Sequence, residues 1–145
     1  MTDLHERIKG DPDASCGEGV ASERIAAAEH ALGIPIRGSY RHFLRELGWA
    51  SVGSNELYGL GDTCPAYLDV IAITKSERTE MRPRLPSHLL PVFNDGFGNL
   101  HCLDTSSPSH EPPIVFWDHE LGEEQRPEPQ APDFATWLRE LVDDV

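Results

Sequence analysis

The sequence predicts a single α+β domain in which helices pack on one mostly antiparallel sheet. Residues 90–104 consist of two apolar runs joined by a segment rich in Asn, Asp and Gly, which is typical of a β-hairpin. Stripes of apolar residues with helical spacing lie before and after this hairpin. An order of helices, antiparallel strands and a final helix indicates an α+β fold and not an alternating parallel one. At 145 residues the chain is long enough for one domain with its own core.

The first predicted helix lies behind a segment without regular pattern. Residues 1–19 mix charged residues with Gly, Pro and Ser, so we expect a flexible N-terminal segment, with the domain itself spanning residues 20–145. Ser22 is predicted to cap a helix that continues to Leu32, and Gly33 is predicted to end it.

A second helix is predicted to begin at Ser39 and to end at Gly48, and a short strand is predicted at residues 55–60. The apolar residues of this helix form one stripe at i, i+3, i+4 and i+7: Tyr40, Phe43, Leu44 and Leu47. Residues 69–82 allow two predictions, because their apolar spacing favours a helix while their β-branched residues favour a strand. We favour the helix.

The part of the chain after the hairpin predicts one more strand and one more helix. Residues 112–118 form a continuous apolar run, which is typical of a central strand. Residues 119–132 are rich in Glu, Pro and Gln, so we expect a loop outside the core. Asp133 is predicted to cap the last helix, whose apolar stripe has the same spacing as before: Phe134, Trp137, Leu138 and Leu141.

The charge of the chain limits its partners. The formal net charge is −13, and it is uneven: residues 85–145 carry 12 acidic and 2 basic side chains, against 13 and 10 in residues 1–84. Nucleic acid and anionic membranes would be repelled, so we expect neither as a ligand and expect a basic protein instead. The three cysteines are widely spaced, and no apolar leader or membrane-spanning stretch is present, so we expect a cytoplasmic protein.

The sequence contains no motif that predicts catalysis or a cofactor. There is no phosphate-binding Gly-rich loop and no nucleophile elbow around a serine. Cys64 or Cys102 with a histidine is the one candidate nucleophilic set, but Cys102 lies in an apolar strand, where free Cys usually packs as a small apolar residue. We therefore expect a protein that is not an enzyme and holds no cofactor.

The sequence disfavours two candidate metal sites. His101, Cys102, His110 and His119 offer zinc ligands, but His101 and Cys102 are neighbours on a strand and point to opposite faces. The acids and amides around the hairpin turn lack the spacing of a calcium loop, so Asp95 and Asn99 are expected to bond to their own backbone instead.

Five segments in order carry a family resemblance from about Ser22 to Leu141. They are Ile25 to Leu32 with Gly33-Ile34-Pro35, Tyr40-x-x-Phe43-Leu44-x-x-x-Gly48, Tyr58-Gly59-Leu60, the hairpin Leu90 to Asp104, and Asp133-Phe134-x-x-Trp137-Leu138. Together they resemble the SUKH superfamily, which is named for yeast cell-wall-synthesis regulators and related bacterial and viral proteins. The chain departs from the family pattern at Ile36-Arg37-Gly38 and at Asn99, which concern helix entry and turn detail.

The resemblance implies an α+β fold without shared catalytic residues. It also implies that the chain is an immunity protein that binds and neutralises a polymorphic toxin domain, such as a nuclease or deaminase; a smaller branch implies an intracellular scaffold or regulatory module instead. For the immunity function we expect a basic toxin domain to be bound by acidic and aromatic side chains: Asp118, Glu120, Glu123, Glu124, Trp49 and Tyr58. The oligomeric state is not predicted.

Overall fold

The computed structural model describes residues 1–145 as five helices and one seven-stranded sheet. In chain order the elements are α1 (Thr2–Gly10), β1 (Ala14–Cys16), α2 (Ser22–Leu32), α3 (Gly38–Glu46), β2 (Ala50–Val52), β3 (Asn55–Leu57), α4 (Val70–Thr79), β4 (Leu89–Asn94), β5 (Leu100–Asp104), β6 (Ile114–Trp117), β7 (Glu128–Ala131) and α5 (Phe134–Asp143). A short 3-10 helix, Ala66–Leu68, precedes α4.

The sheet is a meander, because its strands lie side by side in chain order and every pair of neighbours is antiparallel. The predicted hairpin is confirmed as β4 and β5, in which Leu90 pairs with Leu103 and Phe93 with His101. The predicted α+β fold is therefore confirmed.

Helices cover both faces of the central strands. Phe93, His101 and Phe116 share one face, where Phe93 and His101 contact the ring of Trp137 on α5. Side chains alternate along a strand, so Trp117 lies on the opposite face, where it lines a recess together with Glu77 of α4. Since α4 also packs against β4, the two helices enclose the middle of the sheet from its two sides.

The stripe predicted on the second helix is buried as expected and joins α3 to α5. Tyr40, Phe43, Leu44 and Leu47 are fully buried, and the rings of Tyr40 and Phe43 meet Phe134 with centroids 5.0 and 5.4 Å apart. The Tyr40 hydroxyl donates a 2.8 Å hydrogen bond to the Tyr58 carbonyl, which ties α3 to the end of β3.

Residues 69–82 form a helix, as favoured, but it is shorter than predicted and ends at Thr79. The Asp69 side chain accepts hydrogen bonds from the backbone N–H groups of Ile71 and Ala72, which satisfies the first turn. The last helix begins as predicted, because the Asp133 carboxylate accepts a 2.7 Å hydrogen bond from the Thr136 N–H.

The prediction of a flexible segment at residues 1–19 needs correction. These residues form α1 and the edge strand β1, which pairs with β2. Leu4 and Ile8 are buried, and two ion pairs connect α1 to α5: Arg7 with Asp143 at 2.6 Å, and Arg139 with Asp3 at 3.3 Å. Burial of two aliphatic side chains contributes about 1.5–3 kcal/mol each, and the pairing of β1 with β2 and the two ion pairs also hold this segment on the fold. The domain therefore includes the N-terminal segment.

Three smaller expectations also differ from the structure. Ser22 is the first residue of α2 and not its cap; its hydroxyl accepts a hydrogen bond from Arg45. β2 precedes the predicted strand at residues 55–60, of which only Asn55–Leu57 is a strand. Part of the predicted loop at residues 119–132 is β7, an exposed edge strand held by its backbone pairing with β6.

Candidate functional site

The turn between β4 and β5 is held by side chains of its own sequence. One oxygen of Asp95 accepts hydrogen bonds from the N–H groups of Phe97 and Asn99, and the other accepts one from the Asn99 side chain. Partial burial acts to raise the pKa of Asp95, but these hydrogen bonds outweigh it and leave the pKa below its usual value. The expectation that Asp95 and Asn99 bond within the turn is confirmed, and the turn is fixed in one shape.

This turn presents Phe97 to solvent. Phe97 is 79% exposed and lies between Gly96 and Gly98, which both have positive φ angles of 88° and 94°. Only glycine adopts such angles without strain, so the two glycines form the reversal. A phenylalanine at this apex adds nothing to the core, which makes it a candidate contact for another molecule.

A cleft of about 420 Å³ opens on one side of the turn. The Tyr58 ring, 8% exposed, and the 61% exposed ring of Tyr67 line it together with the side chains of Glu56 and Asp95. The Tyr67 hydroxyl donates a 2.7 Å hydrogen bond to Glu56, and this bond raises the pKa of Tyr67. Burial raises the pKa of Tyr58 to about 12. Both tyrosines are therefore neutral hydrogen-bond donors at neutral pH.

A smaller recess of about 120 Å³ opens on the other side of the turn, between it and the C-terminal end of α4. Met81 and His119 line this recess together with Gly98 of the turn. His119 also reaches the turn directly, because its backbone N–H and its Nδ1 lie 3.2 and 2.7 Å from the side-chain oxygen of Asn99.

The predicted acidic residues follow on a loop, residues 118–127, that is joined to the turn through His119. Gln125 organises this loop: its side chain accepts a hydrogen bond from the Asp118 N–H and donates to the Asp118 and Gly122 carbonyls. None of the predicted acidic side chains takes part in an ion pair within the chain: Asp118, Glu120, Glu123 and Glu124. Their charge is thus available to a partner.

We call the surface formed by the β4–β5 turn, the two recesses beside it and the acidic loop the turn face. It contains four of the five exposed large hydrophobic side chains of the protein: Tyr67, Met81, Phe97 and Leu121. A surface that combines exposed apolar groups with unpaired charges has the composition of a protein–protein interface.

The structure brings the predicted site residues together only in part. The acidic loop and Tyr58 both belong to the turn face. Trp49 lies apart, in a recess of about 90 Å³ beside Gly17 and Gly61, and its ring N–H donates a 3.0 Å hydrogen bond to Thr63. Trp49 and Tyr58 therefore line separate recesses, and Trp117 is buried under the turn face.

Sequence reasoning missed Phe97 and Tyr67 as site residues. A signal for Phe97 was present, because an aromatic residue between two turn glycines has no core to fill. No comparable signal exists for Tyr67, whose place depends on how the 3-10 helix packs beside β3.

The candidate catalytic and metal-ligating residues are not arranged for such chemistry. Cys102 is fully buried, and burial raises the pKa of its thiol well above the usual value; burial also raises the pKa of Cys64 to about 11. The Nδ1 atom of His101 accepts a 3.0 Å hydrogen bond from Trp137, and burial lowers its pKa. No group of three or more His, Cys, Asp or Glu side chains is placed to hold a metal ion. None of the helices has the length and apolar character that a membrane crossing requires.

Comparisons with known proteins identify the family. Residues 1–143 match the family model SUKH_5, described as SMI1-KNR4 cell-wall. A comparison with curated protein sequences gives no match. Among solved structures, a protein from Pseudomonas syringae pv. tomato has a similar fold, with a TM-score of 0.63 and 17% sequence identity over 86% of this chain and 88% of that chain. Because the family match spans all five helices and all seven strands, this chain belongs to the SMI1-KNR4 family, in its SUKH_5 group.

Proposed function

We propose that this protein is a non-enzymatic immunity protein of the cytoplasm that binds a basic toxin domain through the turn face and thereby blocks the toxin. The observation that carries the proposal is the acidic loop of residues 118–127, whose four predicted carboxylates form no ion pair within the chain and which contacts the β4–β5 turn through the hydrogen bonds of His119 with Asn99. An acidic surface of this kind speeds the capture of a basic protein and competes with nucleic acid for the same positive groove.

The chemistry of the chain supports a binding function and not a catalytic one. The most reactive residue types, the cysteines, have thiols with raised pKa values, and none of them forms a hydrogen bond with a histidine. All three cysteines are free thiols, which suits a reducing compartment. The net charge of −13 disfavours nucleic acid and anionic membranes as direct ligands.

The test begins with affinity capture from the source cell at low and high salt, followed by reconstitution with the purified partner. We expect a basic protein that salt releases, that arrests growth when expressed alone, and whose growth arrest co-expression of this protein relieves. A captured partner whose activity is unaffected by this protein would refute the immunity function and would favour the scaffold or regulatory module.

A charge-reversal variant tests the electrostatic part of the proposal. Replacing Asp118, Glu120, Glu123 and Glu124 together with Lys reverses the charge of the loop, and we expect at least about a tenfold fall in the association rate constant at low salt. A matched control reverses four exposed acids that form no ion pair and lie outside the turn face: Asp13, Glu23, Glu140 and Asp144. Equal slowing by both variants would mean that only net charge matters and would remove the loop from the proposal.

A further inference from the structure

The cleft beside the turn combines aromatic walls with negative charge. The residues that line it include the aromatic Tyr58, Tyr67 and Phe93 and the acidic Glu56 and Asp95, and none of them is Lys, Arg or His. Its volume of about 420 Å³ falls within the range of sites that bind small ligands or side chains. A cation entering this cleft would therefore lie among aromatic and acidic residues, with no positively charged residue in the lining.

Glu56 keeps part of its bonding capacity for a ligand. Its Oε2 atom accepts the hydrogen bond from Tyr67, whereas its Oε1 atom accepts none, and the carboxylate forms no ion pair within the chain. The same hydrogen bond holds the Tyr67 ring at the cleft although the ring is largely exposed. A planar cation that stacks on Tyr67 thus finds a carboxylate oxygen beside the ring.

Tyr58 adds a second polar group to the cleft. Tyr58 is 8% exposed and lines the cleft, and its hydroxyl lies within hydrogen-bonding reach of the Asn94 side chain. A phenolic O–H can donate a hydrogen bond to a peptide carbonyl of a bound segment. The cleft therefore suits a ligand that carries a cation and a carbonyl together, as a basic residue in a polypeptide does.

We propose that this cleft binds an arginine side chain of a partner protein, with the guanidinium stacked on the Tyr67 ring and hydrogen-bonded to Glu56. Arginine fits better than lysine because its planar group can stack on an aromatic ring and bond to a carboxylate at the same time. The inference rests on the proposed function, since it names the group by which a basic partner engages the turn face.

The test uses a peptide and not the unidentified partner. Backbone amide resonances of the protein are followed during titration with the peptide N-acetyl-Gly-Arg-Gly-amide at low ionic strength. We expect saturable shifts at Glu56, Tyr58, Tyr67 and Asp95 with a Kd on the order of 1 mM, which corresponds to about −4 kcal/mol. The citrulline analogue, which has the same shape without the charge, is expected to bind at least about tenfold more weakly, and the lysine analogue to fall between the two.

Two variants locate the binding. Glu56→Gln keeps an acceptor for Tyr67 but removes the charge, and Tyr67→Leu removes the ring at an exposed position that the core does not need. Each variant is expected to weaken the binding of the arginine peptide at least about fivefold. The control Glu23→Gln on α2 is expected to leave the binding of this peptide unchanged. The proposal would be overturned if the citrulline or lysine peptide bound as tightly as the arginine peptide, or if the two variants bound the arginine peptide as tightly as wild type. Resonance shifts centred on the acidic loop would also overturn it.

The outcomes separate this inference from the proposed function. Peptide binding in the cleft together with a captured partner that is not neutralised would retain the cleft and reject the immunity function. Neutralisation of a toxin without peptide binding would retain the immunity function and reject the arginine site in the cleft.

Discussion

His5 gives a prediction of how stability depends on pH. Its imidazole, on α1, is 1% exposed, and neither Nδ1 nor Nε2 has a hydrogen-bond partner. Its ring meets His42 with centroids 5.0 Å apart and Phe43 with centroids 6.2 Å apart, both on α3. Burial, followed by repulsion from His42, lowers the pKa of His5 from 6.5 to about 4, although Glu46 acts in the opposite direction.

Whether acid stabilises or destabilises the protein depends on which state, folded or unfolded, binds a proton at His5. Between pH 6.5 and pH 4 the unfolded chain protonates His5 while the folded chain does not, so acidification favours unfolding. The contribution of neutral, buried His5 to the free energy of unfolding is fully present above pH 6.5 and is lost as the pH falls towards 4. One pKa unit corresponds to about 1.4 kcal/mol, so the shift amounts to about 2 kcal/mol lost at pH 5 and about 3 kcal/mol lost below pH 4.

The assay is urea unfolding followed by tryptophan fluorescence at several pH values between 7.5 and 4.5. His5→Leu removes the titration and two unpaired polar atoms, so we expect it to raise the free energy of unfolding by about 1 kcal/mol at pH 7.5. At pH 5 the free energy of unfolding of the variant should exceed that of the wild type by about 3 kcal/mol. His30→Gln, at an exposed position on α2, is the control and should follow the wild type. A constant difference between His5→Leu and wild type at all pH values would refute the reasoning.

Three further predictions concern packing, capping and the turn face. Gly59→Ala places a Cβ 1.8 Å from the Gly48 carbonyl oxygen and should cost more than about 4 kcal/mol in urea unfolding, whereas Gly122→Ala, with open space around it, should change stability by less than about 0.5 kcal/mol. Asp133→Ala should cost about 1 kcal/mol in the same assay, because it removes the cap of α5. Phe97→Ser should change stability by less than about 0.5 kcal/mol but weaken partner binding by about thirtyfold in calorimetry.

The elements that were predicted correctly carry their signal locally. α5 has an apolar stripe of four residues, and α3 has a similar stripe whose last residue, Leu47, is its C-cap; α5 also has its own capping aspartate. The β4–β5 hairpin combines apolar strands with turn residues that bond to their own backbone. In these elements the local pattern and the tertiary contacts favour the same structure, so sequence alone was sufficient.

The elements that were missed depend on distant partners. α1 has only Leu4 and Ile8 as apolar contacts, and its third buried residue is His5, which no hydrophobic pattern would select. β7 has one buried residue, Ala131, and is a strand because its backbone pairs with β6. Pro129 in β7 is tolerated because an edge strand leaves one side of its backbone unpaired.

The candidate site was predicted by charge but not by shape. An acidic loop is visible in composition, and the structure leaves its carboxylates unpaired. The separation of Trp49 from Tyr58 depends on which recess each ring enters, and this is decided by side-chain packing between elements. The sequence therefore named Trp49 and Tyr58 as site residues without indicating that they line different recesses.

A substitution at Phe97 can change partner binding without changing the fold, and this makes the Phe97→Ser variant informative. The turn keeps its shape through Asp95 and through two glycines, so removing the ring leaves every hydrogen bond of the turn in place. Because the turn is already ordered, a partner that buries the ring does not have to order it, and more of the burial energy appears as affinity. An aromatic residue that acts as a binding hot spot contributes about 2 kcal/mol or more, which is about thirtyfold in Kd. If Phe97→Ser binds the partner as tightly as wild type, the interface does not include the apex of the turn, and the acidic loop must bind the partner without it.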